Sequence, residues 1–152
     1  MDELLKLENQ LCFPLYAAAR KVTNLYTPFF KPLGITYTQY IVFLVLWEKK
    51  EVTVGDLGRR LYLDNGTLTP LLKKLEENGY IARTRSKKDE RVVTVSITQK
   101  GMNLKEKAAD IPIKAGACIS LTPEEAAGLY TLLYKILDST ESQNIDEQRI
   151  SG

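Results

Sequence analysis

The stretch from Val52 to Gly101 constrains the fold of this chain more than any other. Leu68, Leu71, Leu72 and Leu75 fall at i, i+3, i+4 and i+7, which makes one apolar helical stripe. The opposite face of that helix carries Thr67, Thr69, Lys73 and Lys74. Asn78-Gly79 stops the helix. Tyr80 to Ser86 and Arg91 to Ile97 then form two strands about a turn at Lys87-Lys88-Asp89-Glu90, and Val93, Val95 and Ile97 alternate with Thr94 and Ser96. Between Ile81 and Arg91 stand five cations, Arg83, Arg85, Lys87, Lys88 and Arg91, against Asp89 and Glu90. A helix with a polar, basic face followed by a basic hairpin suits duplex DNA. The helix can enter a major groove while the hairpin tip reaches the backbone or the adjacent minor groove.

Composition narrows the remaining possibilities. A chain of 152 residues can bury a real core. Its net charge of +2 is too small to name a partner, so the local basic patch carries that argument. Histidine is absent, which removes Ser-His-Asp and Cys-His catalysis and the commonest metal ligand. Two cysteines, Cys12 and Cys118, are too few for a structural zinc site. No glycine-rich phosphate loop accompanies Gly55 and Gly58. The expectation is a chain without enzymatic activity, cofactor or metal. No apolar run is long enough to span a bilayer, and Met1-Asp2-Glu3 does not open a signal peptide. A cytoplasmic location without membrane contact is therefore expected.

Leu4, Leu11, Ala18 and Leu25 lie seven apart, with Leu15, Val22 and Phe29 in a parallel row. This predicts one long helix ending near Pro28 to Pro32, with Cys12 in its middle. Further helices are expected from Thr38 to Lys49, from Asp56 to Tyr62, from a start between Asp64 and Thr69, and from Thr98 toward Gly116. Val52-Thr53-Val54 reads as a short strand. Pro70 is expected in the first turn of its helix, where amides have no helical partner. Thr122-Pro123-Glu124-Glu125 starts a last helix with Leu129, Leu132, Leu133, Ile136 and Leu137. The fold class is mainly α (α+β): a winged helix-turn-helix whose N- and C-terminal helices form a dimerisation domain. Residues 1–152 make a single domain, with 1–35 and 100–140 dimerising, 36–99 reading DNA, and 140–152 a frayed tail. The excess of terminal leucines predicts a homodimer.

The run Leu61-Tyr62-Leu63-Asp64-Asn65-Gly66-Thr67-Leu68-Thr69-Pro70-Leu71-Leu72-Lys73-Lys74-Leu75-Glu76 resembles the recognition helix of MarR-type winged-helix regulators. Lys88-Asp89-Glu90-Arg91 resembles the Asp-x-Arg wing signature of that family. Leu11-Cys12-Phe13, Leu15-Tyr16 and Ile35 to Val42 are similar to its organic hydroperoxide-sensing branch, the OhrR type. The resemblance covers about residues 7–101 and, more loosely, the rest. It implies that Cys12 is the peroxide-sensing thiol, hydrogen-bonded by Tyr26 and Tyr37 of the partner subunit and supported by Tyr16. It also implies that Thr67 and Lys74 lie in the major groove and that Arg91 enters the minor groove while Asp89 braces the wing. The full DNA-contact set is Asn65, Thr67, Thr69, Lys73, Lys74, Arg83, Arg85, Lys87, Lys88, Asp89 and Arg91. Pro14 departs from the branch, where a small residue is more common, and is expected to kink the first helix beside Cys12.

Helical arithmetic bears on the thiol. Cys12 and Tyr26 point within about 40° of each other, with Tyr16 about 40° off on the other side, yet 14 residues of helix span about 21 Å. Tyr26 therefore cannot reach its own Cys12. Two such helices crossing antiparallel near Ala17-Ala18-Ala19 would bring one chain's tyrosine to the other chain's sulfur. Phenolic hydroxyls donating to sulfur favour the thiolate, the form that attacks peroxide. Cys118 is either an inert buried cysteine or, as in some members of the branch, a resolving cysteine from the other subunit; other members use small thiols. The expected function is a repressor that leaves a pseudo-palindromic operator on duplex DNA when organic hydroperoxide oxidises Cys12. The rivals are a MarR-type regulator answering a small aromatic ligand, and a thiol peroxidase using Cys12 and Cys118.

Overall fold

The computed structural model describes residues 2–150, with side chains through Glu141. The chain divides into two compact units, residues 1–116 and 117–152. The first gathers around α3 (Tyr37–Lys49), which is apolar nearly all round and is therefore enclosed by other elements. A capping box starts α3: Thr36 Oγ1 accepts from the Gln39 amide at 3.3 Å, and the Thr36 amide donates to Gln39 Oε1 at 3.0 Å. Val42, Phe43 and Leu46 of α3 are fully buried. They pack in one cluster with Leu57 of α4 (Val54–Leu61), Leu68, Leu72 and Leu75 of α5 (Asn65–Glu77), and Leu104 of α6 (Gln99–Ala108). Each such side chain contributes at most about 1.5–3 kcal/mol by leaving water.

Three antiparallel strands close this core in the order β1 (Glu51–Thr53), β3 (Val93–Ile97), β2 (Ile81–Arg85). The register sets Val95 opposite both Val52 and Arg83, so Val95 sits at the centre with its side chain buried. The elements form the expected winged helix-turn-helix, with α4 and α5 as the two helices and the β2–β3 hairpin as the wing. Gly101 joins this wing to α3. Its carbonyl accepts from the buried Trp47 Nε1 at 3.0 Å, and a Cβ built on it would stand 2.5 Å from the Tyr80 carbonyl oxygen and 2.7 Å from Ile97 Cγ1. Gly101→Ala is expected to lower stability by about 1–3 kcal/mol, because backbone must move. A denaturation midpoint equal to wild type would contradict that.

Several elements differ from the sequence expectation. The long N-terminal helix is broken: 3₁₀ turns at Asp2–Leu5 and Leu7–Asn9 precede α1 (Cys12–Leu25) and α2 (Thr27–Phe30). Gln10 is extended (φ −99°, ψ 107°). The Asn9 amide group donates to the Glu3 carbonyl at 2.6 Å and that of Gln10 to the Leu4 carbonyl, local bonds that compete with a helix. Cys12 is thus the first residue of α1 rather than a mid-helix residue. Pro14 falls in the first turn, where no amide partner is needed, so it does not interrupt α1. Pro70 is the opposite case. α5 begins at Asn65, which puts Pro70 in the second turn, inside the helix, where it denies the Gly66 carbonyl its helical donor. Gly66 and Pro70 are both exposed, so water can serve that carbonyl. α4 begins two residues earlier than expected, because Thr53 Oγ1 accepts from the Asp56 amide at 3.1 Å and caps it. The helix from Thr98 ends at Ala108, and α7 (Ile111–Gly116) follows. Pro112 disfavours helical backbone just before it and has no N–H to carry α6 onward.

In the second unit Thr122 and Glu125 form a capping box at the start of α8 (Pro123–Ile150), with bonds of 2.9 and 3.2 Å. α8 continues through residues 140–150, where the polar composition led to the expectation of a frayed tail; residues 151 and 152 of that tail lie outside the described residues. No Gly or Pro occurs between Gly128 and Gly152 to stop it. Among the described residues no single helix is long and apolar enough to cross a membrane.

Candidate nucleic-acid interface and thiol site

The outer face of α5 is built by its inner one. Because Leu68, Leu72 and Leu75 are held in the core, Asn65, Thr67, Thr69, Lys73 and Lys74 project outward, and all five are exposed. Asp64 caps the helix: its Oδ1 accepts from the Thr67 amide at 2.7 Å, and this bond holds the Asp64 carboxyl below the usual carboxylate range. The approach of α4 to α5 depends on Gly58, whose Cβ position would lie 2.8 Å from the Leu63 carbonyl oxygen, and on Tyr62 in the left-handed region (φ 54°).

The wing tip is organised by its own side chains. Ser86 Oγ accepts from the amides of Lys88 (3.2 Å) and Asp89 (3.4 Å), and the Ser86 amide donates to the Val92 carbonyl at 2.8 Å. Asp89 accepts from Arg91 three times: from its amide and Nε at 3.1 Å and from Nη2 at 3.3 Å. The Arg91 guanidinium, then its amide, hold the Asp89 carboxyl below its ordinary range. The Arg91 side chain is nevertheless 91% exposed, so it is oriented by Asp89 without being enclosed. Arg85 Nη1 donates to the Glu90 carbonyl at 2.9 Å, and Lys87 and Lys88 project into solvent. Arg83 is placed differently, since its guanidinium and amide are both engaged by Glu76 of α5.

Between helix and wing lies a cleft of about 440 Å³ bordered by Asn65, Thr69, Arg83, Arg85 and Arg91. Thr53 and Gly55, at the start of α4, line it too. Sequence reasoning missed these two because it began α4 at Asp56. The Thr53-x-x-Asp56 spacing was the cap signal that could have found them.

The thiol residues fall into separate groups. Cys12 and Tyr16 are exposed on α1, with the Arg20 guanidinium 5.4 Å from the centre of the Tyr16 ring. Tyr26 caps the other end of α1 and packs 5.1 Å from Tyr37, ring centre to ring centre, in a cluster with Phe30 and Tyr40. The chain therefore brings Tyr26 and Tyr37 together. It does not bring either to its own Cys12, since α1 spans the whole interval between them. Burial, then the neighbouring Tyr26, pushes the Tyr37 hydroxyl above the ordinary phenol value, so Tyr37 remains an O–H donor at neutral pH. Cys118 is exposed in the second unit, between α7 and α8.

The model of the transcriptional regulator SarA/Rot family matches residues 24–108, more than half of the chain. The chain belongs to this family of MarR-like winged-helix regulators. This regulator is 47% identical over 140 residues to the organic hydroperoxide resistance transcriptional regulator of Bacillus subtilis, covering 92% of this chain and 95% of that one. Among solved structures it is similar to reduced AbfR bound to DNA, with a TM-score of 0.75, 34% identity, and coverage of 91% and 97% of the two chains. It is also similar to disulfide-formed AbfR, with a TM-score of 0.62, 34% identity, and coverage of 90% and 96%. AbfR is a protein of Staphylococcus epidermidis. The family is one of regulators rather than enzymes, which sets aside the thiol peroxidase reading.

Proposed function

We propose that this regulator is a cytoplasmic, homodimeric repressor that binds a pseudo-palindromic operator and releases it when organic hydroperoxide oxidises Cys12. The observation that carries the reading is the cleft in which the outer face of α5 meets Arg85 and Arg91. Asn65, Thr67, Thr69, Lys73 and Lys74 are assigned to the major groove, Arg85, Lys87 and Lys88 to phosphates, and Arg91, oriented by Asp89, to the minor groove. The name of the Bacillus subtilis relative and the DNA-bound and disulfide-formed AbfR structures support DNA binding under thiol control. Gel retardation of duplexes from upstream of the regulator's own gene tests it. Reduced protein should shift one of them and hydroperoxide-treated protein should not; equal binding in both states contradicts the proposal.

Residues 1–35 and 100–140 are assigned to dimerisation. No residue of α1 is buried within the chain, and Leu4, Leu5, Leu11 and Tyr16 are each more than half exposed, an apolar surface that a second copy would cover. In such a dimer Tyr26 and Tyr37 of one chain donate to Cys12 of the other, with Tyr16 in support. The start of α1 at Cys12 adds a helix N-terminus, where negative charge is favoured. Tyr26→Phe keeps the ring packing and removes one donor. It is expected to slow Cys12 oxidation ~10-fold at neutral pH, the effect of losing a hydrogen bond of about 1.5 kcal/mol to a charged group. Stopped-flow oxidation within twofold of wild type would remove Tyr26 from the site. The sulfenic acid formed is assigned to condensation with Cys118 of the other subunit or with a small thiol.

One observation favours a second reading. A pocket of about 430 Å³ bordered by Phe30, Lys31, Ile35 and Tyr37 offers aromatic walls and one cation, which suits a small aromatic acid as effector. A Cys12→Ser protein released from its operator by such an acid would support it.

A further inference from the structure

We propose that Glu76 is a positioning residue of the DNA-binding surface: through Arg83 it locks the wing to the recognition helix, and Arg83 serves this strut rather than a phosphate. The inference rests on the DNA-binding reading above. Glu76 lies in the last turn of α5, and Arg83 lies in β2 opposite Val95. Glu76 Oε1 accepts from the Arg83 amide at 3.0 Å. Glu76 Oε2 accepts from Arg83 Nε at 3.1 Å and from Nη2 at 2.8 Å. One carboxylate thus binds both the main chain and the side chain of the strand that carries the wing, a forked arrangement that fixes direction as well as distance.

The pair differs from the other cations of the wing. Its side chains are 28% and 38% exposed, against 91% for Arg91. The Arg83 guanidinium, then its amide, hold the Glu76 carboxyl below its usual range, so the ion pair persists through neutral pH and is lost only as acid protonates Glu76 below the ordinary carboxylate value.

The mechanical need is visible in the connection. Only Asn78, Gly79 and Tyr80 link α5 to β2, with Gly79 at φ 74°. Amide bonds from Gly79 to the Glu76 carbonyl (2.8 Å) and from Tyr80 to the Leu75 carbonyl (3.0 Å) fix this turn, and the Glu76–Arg83 fork extends the hold to the strand beyond it. A protein that reads a major groove with α5 and a neighbouring groove with Arg91 needs both at a set angle before contact. Ordering them during binding would cost affinity. Charge acts in the same direction. An unpaired carboxylate beside DNA would repel phosphate, and a carboxylate neutralised by a fork does not.

The test measures operator affinity and its salt dependence on the upstream duplex that reduced wild-type protein binds, for Glu76→Gln, Arg83→Lys, Arg83→Ala and the double variant Glu76→Gln/Arg83→Ala. Glu76→Gln and Arg83→Lys nearly keep side-chain volume, and their thermal midpoints verify that they fold. The strut predicts that all three single variants bind at least ~5-fold more weakly with the wild-type salt slope. It also predicts that the double variant is no weaker than the worse single, because both changes remove one interaction. The proposal is overturned if Glu76→Gln binds as well as wild type or better. It is equally overturned if Arg83→Lys binds normally while Arg83→Ala lowers the salt slope by about 1 per subunit, the mark of a lost phosphate contact. Failure of wild-type protein to bind any duplex overturns the DNA reading and this inference with it, whereas wild-type binding with either contrary pattern overturns the inference alone.

Discussion

Arg91→Ala is expected to weaken operator binding ~30-fold or more while leaving the thermal midpoint unchanged. A base-reading arginine is worth about 1–3 kcal/mol, and a two-fold dimer loses it at both half-sites. Stability should hold because the Arg91 side chain is almost fully exposed and, among the described residues, its side-chain partner is Asp89. Its backbone bond to Asp89 survives the change, so the turn keeps its shape. Asp89→Asn should cost less, because it weakens the orientation of Arg91 without removing the guanidinium. Fluorescence anisotropy at fixed salt checks both. Near-normal affinity of Arg91→Ala would take the wing tip out of the interface.

Cys12→Ser is expected to bind the operator within a few-fold of wild type and to lose all response to organic hydroperoxide. Wild-type affinity should fall at least ~10-fold on the same treatment. In the reaction a thiolate attacks one peroxide oxygen; an S–O bond forms, the O–O bond breaks, and the alcohol leaves with a proton. A serine hydroxyl at neutral pH is not such a nucleophile. The absence of histidine leaves no imidazole to assist it. Cys118→Ser separates the fates of the sulfenic acid. Intact-mass analysis should show loss of the intersubunit disulfide if Cys118 resolves it, and an added small thiol if that thiol does.

The helix-turn-helix and wing were legible because each leaves a periodic trace: the Leu68 to Leu75 stripe, the Asn78-Gly79 stop, and the alternation from Val93 to Ile97. The N-terminal segment was misread for a reason of the same kind. Its heptad of leucines is real, but Asn9 and Gln10 turn their amides back onto carbonyls and break the helix before Cys12. Periodicity reports which face is apolar, and it is silent on such local competition. The partners of charged residues were likewise hidden. Arg83 and Arg85 look alike in sequence, and only folding brings Glu76 beneath one and the Glu90 carbonyl beneath the other. The tyrosine pair was readable as candidates, whereas its joint packing with Phe30 and Tyr40 required the turn between α2 and α3.

A mixed dimer tests the central claim most directly. One protomer carries Cys12→Ser, and the other carries Tyr26→Phe and Tyr37→Phe. If each thiol is activated by the opposite chain, the mixture contains one complete site, made of the second protomer's Cys12 and the first protomer's tyrosines. Cys12 oxidation by hydroperoxide in the purified mixed dimer should then run at the wild-type rate. Oxidation as slow as in the Tyr26→Phe/Tyr37→Phe homodimer would contradict the account.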